Sequence, residues 1–552
     1  MNRRAVAILL LSAALNLWGV SWGTPDPAYA PTDVADHTLN PQALVHPDAF
    51  QFAGRSFRMA ATGDWNPRFF ENPSLYININ LLLHTFSGVA AEHPVPADYP
   101  MRQYAPFPPY VMGRVVSALA GVLLAAFTLA LTRLAFGERA GELAALLMAV
   151  SPVAVQHSHY ATTNVTAAAL ATGAAWASLR LLCEREPASA REYIAAGLLV
   201  GLACSAKYNA GIVGVVYVLA GLVGVYRHRA WQLFVLGLLA IAVGFLVGTP
   251  YAALDVRAFW GDLRYITAEY AGGQGYPESD YGLAFHTAHI AWFGLGPVGA
   301  ALGLIGVCAA MSRRRSLARN SPALYAGLLV AFVVAYALIV LRAPRLGDHL
   351  TIPVLGALAA FAGAGAARVL KRIGALAVRA AWAKRVLAAG LVGALVAVPL
   401  PYAVWFDALL AQPDTRELAQ AWIYAHVRRG EHVHLIGPYN APLDPADYQA
   451  TQDFGYEYQP PEEIRAQGAT VAIVSDAVSF LFDGAEPFIP SALPEYVRGS
   501  LARYEAEMMW VARFQRPRWF GDNWPLSTAA YFHNPTLTVY CFPDVCTQVV
   551  KP

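Results

Sequence analysis

Ten apolar stretches set the architecture, at roughly 112–132, 139–157, 163–183, 193–206, 208–226, 231–249, 287–311, 322–342, 350–367 and 386–404. Most are long enough for a helix to cross about 30 Å of hydrocarbon at ~1.5 Å per residue. Residues 5–22, behind Met1-Asn2-Arg3-Arg4, form an eleventh. This first run also has the outline of a signal peptide, with Ala28-Tyr29-Ala30 shaped like a cleavage site. It is longer than the roughly 7–15 apolar residues of a signal core, which favours a retained helix. On either reading residue 24 emerges on the outer side. Charged residues make up only 14% of the chain, against about 25% in soluble domains. The expectation is a polytopic α-helical membrane protein of about eleven spans.

The cations give these spans a direction. Arg133 and Arg139, Arg180, Arg185 and Arg191, Arg227 and Arg229, Arg313–Arg315 with Arg319, and the run from Arg368 to Arg385 fall in alternate loops. The other short loops hold only Lys207, Arg342 and Arg345. Cations collect on the cytoplasmic side, so the N-terminus is predicted to lie inside. The same rule makes 193–226 a hairpin, because Arg191 and Arg227 both require the inside and Lys207 marks the outer tip. Residues 24–110 and 250–286 then form two outer excursions from a membrane domain spanning 1–404. From about 405 to 552 the composition is that of a soluble domain. A helix at 414–428 and strand-like runs at 433–436, 471–474 and 537–540 predict a small extracytoplasmic α/β domain. An oxidising compartment would permit a Cys541–Cys546 disulfide there.

Polar side chains at the outer ends of spans are costly to keep and are therefore candidates for function. They include Asp48, Asp64 and Glu71 in the first excursion, then His157, His159 and Asn164 after the third span. Lys207, His286, His289, Arg345, Asp348 and His349 complete the set. Around Asp48, the residues Phe50, Ala53, Phe57 and Ala60 repeat at helical spacing with Arg55 and Arg58 off the stripe. That pattern predicts an amphipathic helix in the membrane interface, started by Pro47, with Asp48 in its first turn. Local pattern alone favours reading Asp48 as a helix cap. Carboxylates with converging cations suit transfer of a group away from phosphate: the carboxylate deprotonates an acceptor hydroxyl and the cations stabilise the departing phosphate. Lys207 and Arg345 also fit plain snorkelling to the headgroups. His286-x-x-His289 has metal-ligand spacing but no third ligand in its pattern. No phosphate-binding loop or strand-placed glycine fingerprint supports a nucleotide site, and no basic aromatic stripe supports nucleic-acid binding.

Several of these residues sit in a recognisable order. The string His46-Pro47-Asp48, Gly63-Asp64-Trp65-Asn66-Pro67, Phe69-Phe70 and Pro73-Ser74-Leu75-Tyr76 resembles the first outer loop of protein-O-mannosyltransferase-like C-type membrane glycosyltransferases. His159-Tyr160-Ala161-Thr162-Thr163-Asn164 and Ser205-Ala206-Lys207-Tyr208-Asn209 agree with it, and Pro344-Arg345 through Pro353 does so more loosely. The resemblance implies the C-type fold and inverting transfer of a sugar from a polyprenyl-phosphate carrier to a lipid, glycan or protein acceptor. It implies Asp48 as the catalytic carboxylate and Lys207 and Arg345 as donor-phosphate ligands. His46, Asp64, Glu71, Tyr76, His159, Asn164 and His349 are implied as substrate or acceptor contacts. Two positions depart from the pattern. Ala49 stands where the family has a second acid, and Asn164 stands where it has a carboxylate. Both departures weaken a divalent-metal site, since hard cations want anionic oxygen, and the cofactor stays open. A transporter or flippase of a lipid-linked solute, or a non-catalytic relative, remains the alternative. A transporter concentrates polar groups near the midplane of repeated halves, whereas this chain has them at outer ends and shows no repeat.

Overall fold

The computed structural model describes residues 2–23, 46, 48–96, 107–182, 188–272, 282–312, 321–343, 347–376, 380–437, 439–444, 446–453, 459–476, 502–516, 519 and 533–550. Pro47, Arg345 and all of 24–45 lie outside them. The chain forms two compact units, one of Met1–Trp18 with Asp48–Val404, the other of Gly19–Pro47 with Trp405–Pro552.

The first unit is helical. In order its helices are α1 (Arg3–Leu17), α2 (Arg55–Thr62), α3 (Leu75–Phe86), α4 (Val89–Glu92), α5 (Phe107–Phe136), α6 (Glu138–Ala149), α7 (Pro152–Ser158), α8 (Asn164–Arg180) and α9 (Ala190–Ala206). There follow α10 (Gly214–His228), α11 (Trp231–Gly248), α12 (Tyr251–Leu254), α13 (Val256–Gly272), α14 (Gly282–His289), α15 (Gly296–Met311), α16 (Pro322–Tyr336), α17 (Ile352–Gly374) and α18 (Ala381–Val396). Among the described residues five helices are long and apolar enough to cross a membrane, and eight spans result if each of three bent pairs is one. Two of those pairs are α6 with α7, bent by 57°, and α14 with α15, bent by 109°. The expectation of about eleven also counted α1, α8 and α9, which run 15, 17 and 17 residues.

Helices in lipid gain little from burying apolar area against one another, so close backbone approach has to hold them. α9 and α11 achieve it with glycine. A Cβ on Gly197 would lie 2.2 Å from the Gly237 carbonyl oxygen, and one on Gly201 would lie 2.2 Å from that of Ile241. This contact fixes the end of α9, where the helix breaks at Lys207 in an extended conformation (φ −154°, ψ 129°) before a 3-10 turn at Tyr208–Val213. The hairpin expectation put the break at that residue.

The segment after Asp48 differs from its expectation. It opens with a π turn at Phe50–Gly54 and only then becomes α2. The wider turn shifts the stripe, so Ala53 and Phe57 are buried while Phe50 and Ala60 are half-buried. Arg55 and Arg58 are buried too, where an interfacial helix would leave them wet. Arg55 donates to the Pro67 carbonyl at 2.9 Å and to Gln51 Oε1 at 2.7 Å, and stacks 4.6 Å above the Phe69 ring. Pro67 and Phe69 come from the returning loop, so the helix is clamped within protein. Gly63 ends it at φ +73°, a conformation glycine adopts without strain.

The second unit holds a five-stranded sheet in the order β2-β1-β3-β5-β4, with β1 His432–Ile436, β2 Gln449–Asp453, β3 Val471–Ser475, β4 Met509–Phe514 and β5 Leu537–Cys541. β2, β1 and β3 are parallel, and β5 and β4 are antiparallel additions. Asp414 caps the helix Thr415–His426 by accepting from the Arg416 N–H. Cys541 and Cys546 are buried free thiols, in place of the disulfide the spacing allowed. Burial pushes the Cys541 thiol up, so it stays protonated.

Candidate active site

Two adjoining cavities open in the first unit. The smaller, about 150 Å³, takes polar groups from four places: Asp48 and Glu71 from the first loop, Asn164 from the start of α8, Lys207 from the end of α9, and Glu269 from α13. His349, beside α17, adds a fifth direction, and Phe52, Phe69, Tyr265 and Tyr270 supply aromatic wall. The larger, about 630 Å³, is lined mainly by apolar side chains such as Ile212, Leu263, Leu338, Ile339 and Val340, with Arg342 also on its wall. Glu71, Asn72, Lys207, Ile266 and Tyr270 line both.

Lys207 is 6% exposed and donates from Nζ to Asn164 Oδ1 at 2.7 Å. The Asn164 amide lies 3.4 Å from His157 Nδ1, and His157 Nε2 lies 3.2 Å from Asp348 Oδ1. The donor on Asn164 assigns Nδ1 as acceptor, so Nε2 carries the proton toward Asp348. Asp348 Oδ1 also accepts from the His349 N–H at 2.7 Å. A buried relay thus runs from the cavity's ammonium to the backbone that places His349. Asn164 holds Lys207 without neutralising it, which a carboxylate at that position would do.

The departure at Ala49 reads differently in three dimensions. Ala49 is 1% exposed and is not on the cavity wall, whereas Asp48 is exposed and lines it.

Not every residue picked from the sequence reaches this site. Asp64 sits outside the lining, 3.3 Å from the Arg58 guanidinium and 3.1 Å from that of Arg68, and it accepts from the Asn66 N–H. Tyr76 is fully buried between helices, donating to the Gly113 carbonyl at 2.6 Å and lying 2.9 Å from Ser117 Oγ. His159 is buried between the carbonyls of Val155 and Trp18, at 2.9 and 2.8 Å. These three build the frame. His46 is buried and does not line either cavity, and Arg345 lies outside the described residues. His286 and His289 are buried, with His286 Nδ1 3.0 Å from the Leu341 carbonyl and His289 packed on Phe285 and Phe293.

α13 supplies what sequence reasoning missed. Tyr265, Glu269 and Tyr270 carry no motif, and the amphipathic pattern of the helix was the only available signal. Among the described residues no three His, Cys, Asp or Glu side chains converge as metal ligands. The described residues therefore form no divalent-ion site.

A family model described as dolichyl-phosphate-mannose-protein mannosyltransferase matches residues 110–253, the stretch that holds Asn164 and Lys207. No curated protein sequence matches the chain. Among solved structures, ArnT from Cupriavidus metallidurans bound to undecaprenyl phosphate is similar at 15% identity and a TM-score of 0.50, with 97% of each chain covered. Its apo form gives 17% and 0.46 over the same coverage. The archaeal oligosaccharyltransferase AglB from Archaeoglobus fulgidus, in complex with an inhibitory peptide and a dolichol-phosphate, gives 13% and 0.45, covering 96% of this chain and 77% of that chain. The chain thus shares the fold of ArnT, and its residues 110–253 are similar to the dolichyl-phosphate-mannose-protein mannosyltransferase family.

Proposed function

We propose that the protein transfers a sugar from a polyprenyl-phosphate carrier to a lipid, glycan or protein acceptor on the outer face of the membrane. The observation that carries this reading is the position of Lys207, on the wall of a polar cavity with Asp48 and of an apolar cavity of lipid dimensions. A carrier phosphate at Lys207 has room for its isoprenoid tail on one side and its sugar on the other. The family of the matched segment and the undecaprenyl phosphate of ArnT support the same substrate class.

In this mechanism Asp48 takes the proton of the acceptor hydroxyl as its oxygen bonds to the anomeric carbon. The bond from that carbon to the phosphate oxygen breaks, and the electron pair leaves with the polyprenyl phosphate. Attack opposite the leaving group inverts the anomeric centre. Lys207 stabilises the charge gathering on the phosphate, a role that the family resemblance gives to Arg345 as well. The charge bias of the loops puts the N-terminus in the cytoplasm and the cavity outside. Residues 1–404 are the catalytic membrane domain and 405–552 an extracytoplasmic domain.

Mass spectrometry of outer glycoconjugates from cells with wild-type protein, with Asp48→Asn and with none tests the reading. The expected result is a sugar present only with wild type. Asn keeps shape but cannot take a proton, so transfer by purified protein should fall on the order of 10²–10⁴-fold. Unchanged transfer by Asp48→Asn would remove Asp48 as the base. Lipid translocation without sugar transfer would favour the flippase.

A further inference from the structure

The smaller cavity holds a carboxylate, Glu269, that no motif of the sequence marks. Glu269 lies in the last turn of α13, and its helical neighbours Asp262, Ile266 and Tyr270 form one stripe with it at i−7, i−3 and i+1. That stripe is tied to the first loop. Asp262 accepts from the Phe70 N–H at 2.7 Å, and Asp255, just before the helix, accepts from Asn66 at 2.8 Å. Tyr208, next to Lys207, donates to the Phe70 carbonyl at 2.8 Å. Loop, helix and lysine are thus held against each other by fixed contacts, and Glu269 has a defined place among them.

We infer that Glu269 recognises the transferred sugar, its carboxylate accepting hydrogen bonds from ring hydroxyls in the smaller cavity. The inference rests on the reading of that cavity as the donor site. Lys207 lines both cavities, so a phosphate on it marks the junction between tail and sugar. Glu269 lines the smaller one alone, on the sugar side. Its Oε2 is buried and takes no hydrogen bond from the described residues. A buried carboxylate oxygen without a donor is costly, and a ligand that brings donors removes the cost. Phosphate has no such donors and is repelled, whereas sugar hydroxyls donate readily. At ~30 Å³ per water, the cavity's 150 Å³ equals about five waters, a space for one small polar ring and not for a lipid tail.

Binding to the full-length protein in nanodiscs separates the possibilities. The probes are decaprenyl phosphate and its mannose, glucose, galactose and arabinose conjugates, measured with wild type, Glu269→Gln and Glu269→Asp. Wild type should bind one or more conjugates more tightly than the bare carrier. Glu269→Gln should weaken those conjugates on the order of tenfold, as expected for losing a hydrogen bond to a charged group. It should not weaken decaprenyl phosphate, since it removes only a charge that repels phosphate, and retained carrier binding also reports that the variant is folded; Glu269→Asp should fall between for the conjugates. Conjugates bound by Glu269→Gln as tightly as by wild type would overturn the assignment while leaving the donor site intact. Conjugates bound no better than the bare carrier by wild type would overturn it as well. Wild type that binds no decaprenyl phosphate would overturn the donor site itself, and this inference with it.

Discussion

The first loop and α13 face one cavity, yet they use their polar residues differently. In the loop, Asp48 and Glu71 reach the cavity, while Asp64 pairs with Arg58 and Arg68. In α13, one face carries Asp262 to the loop backbone and Glu269 to the cavity. A loop without regular hydrogen bonding must satisfy its own backbone and buried cations with side chains. Its motif therefore mixes chemistry with scaffolding. A helix satisfies its own backbone, which leaves a whole face for docking and ligand. A motif in an irregular segment marks a place, and geometry must sort the residues within it.

The sharpest test of that sorting is Lys207, where the elements converge. Lys207→Met keeps the stem and removes the ammonium. A hydrogen bond to a charged group is worth about 1.5–3 kcal/mol, so affinity for decaprenyl phosphate should fall roughly 10–100-fold. Transfer should fall at least as far. A variant that binds the carrier normally would mean that Lys207 only anchors Asn164.

Asn164→Asp asks a finer question. At 2.7 Å from Nζ, a carboxylate would neutralise the lysine within its own hydrogen bond. Carrier affinity should drop several-fold, on the order of 3–10, with a larger drop at low salt where charge counts most. A rise in affinity instead would show that the cavity lacks a negative group it could use.

Parts of this arrangement were legible because the sequence marks them twice. Asp48, Glu71, Asn164, Lys207 and His349 are polar residues at span ends predicted to lie outside and are also marked by the family resemblance, and all five line one cavity. Glu269 is marked only as one acid on an amphipathic helix, and nothing in its neighbours reveals that Asp262 docks on Phe70, 192 residues away. The burial of Arg55 was hidden for the same reason, since the Pro67 carbonyl and Phe69 ring that receive it become neighbours only after the loop turns back. In the second unit the apolar runs of β1, β3 and β5 read as strands. The edge strands β2 and β4 did not, because Gln449–Asp453 is polar apart from Ala450 and Met509–Phe514 leaves half its residues exposed. Interior strands show themselves by burial, whereas edges are made by partners.

The smallest expected effect bears hardest on the comparison. Asp64 lies in the most motif-like part of the loop, yet its carboxylate is 31% exposed and bound to Arg58 and Arg68. Ion pairs this wet contribute about 0.2–1 kcal/mol each. Asp64→Asn keeps an oxygen for the Asn66 N–H and removes only the charge, so the protein should lose on the order of 1 kcal/mol of stability in thermal unfolding. Transfer should stay within about threefold of wild type, because no cavity-lining residue depends on that charge. A loss as deep as that of Asp48→Asn, in protein that unfolds at the wild-type temperature, would put Asp64 back among the reacting groups. It would also mean that the loop closes further over substrate than its own contacts require.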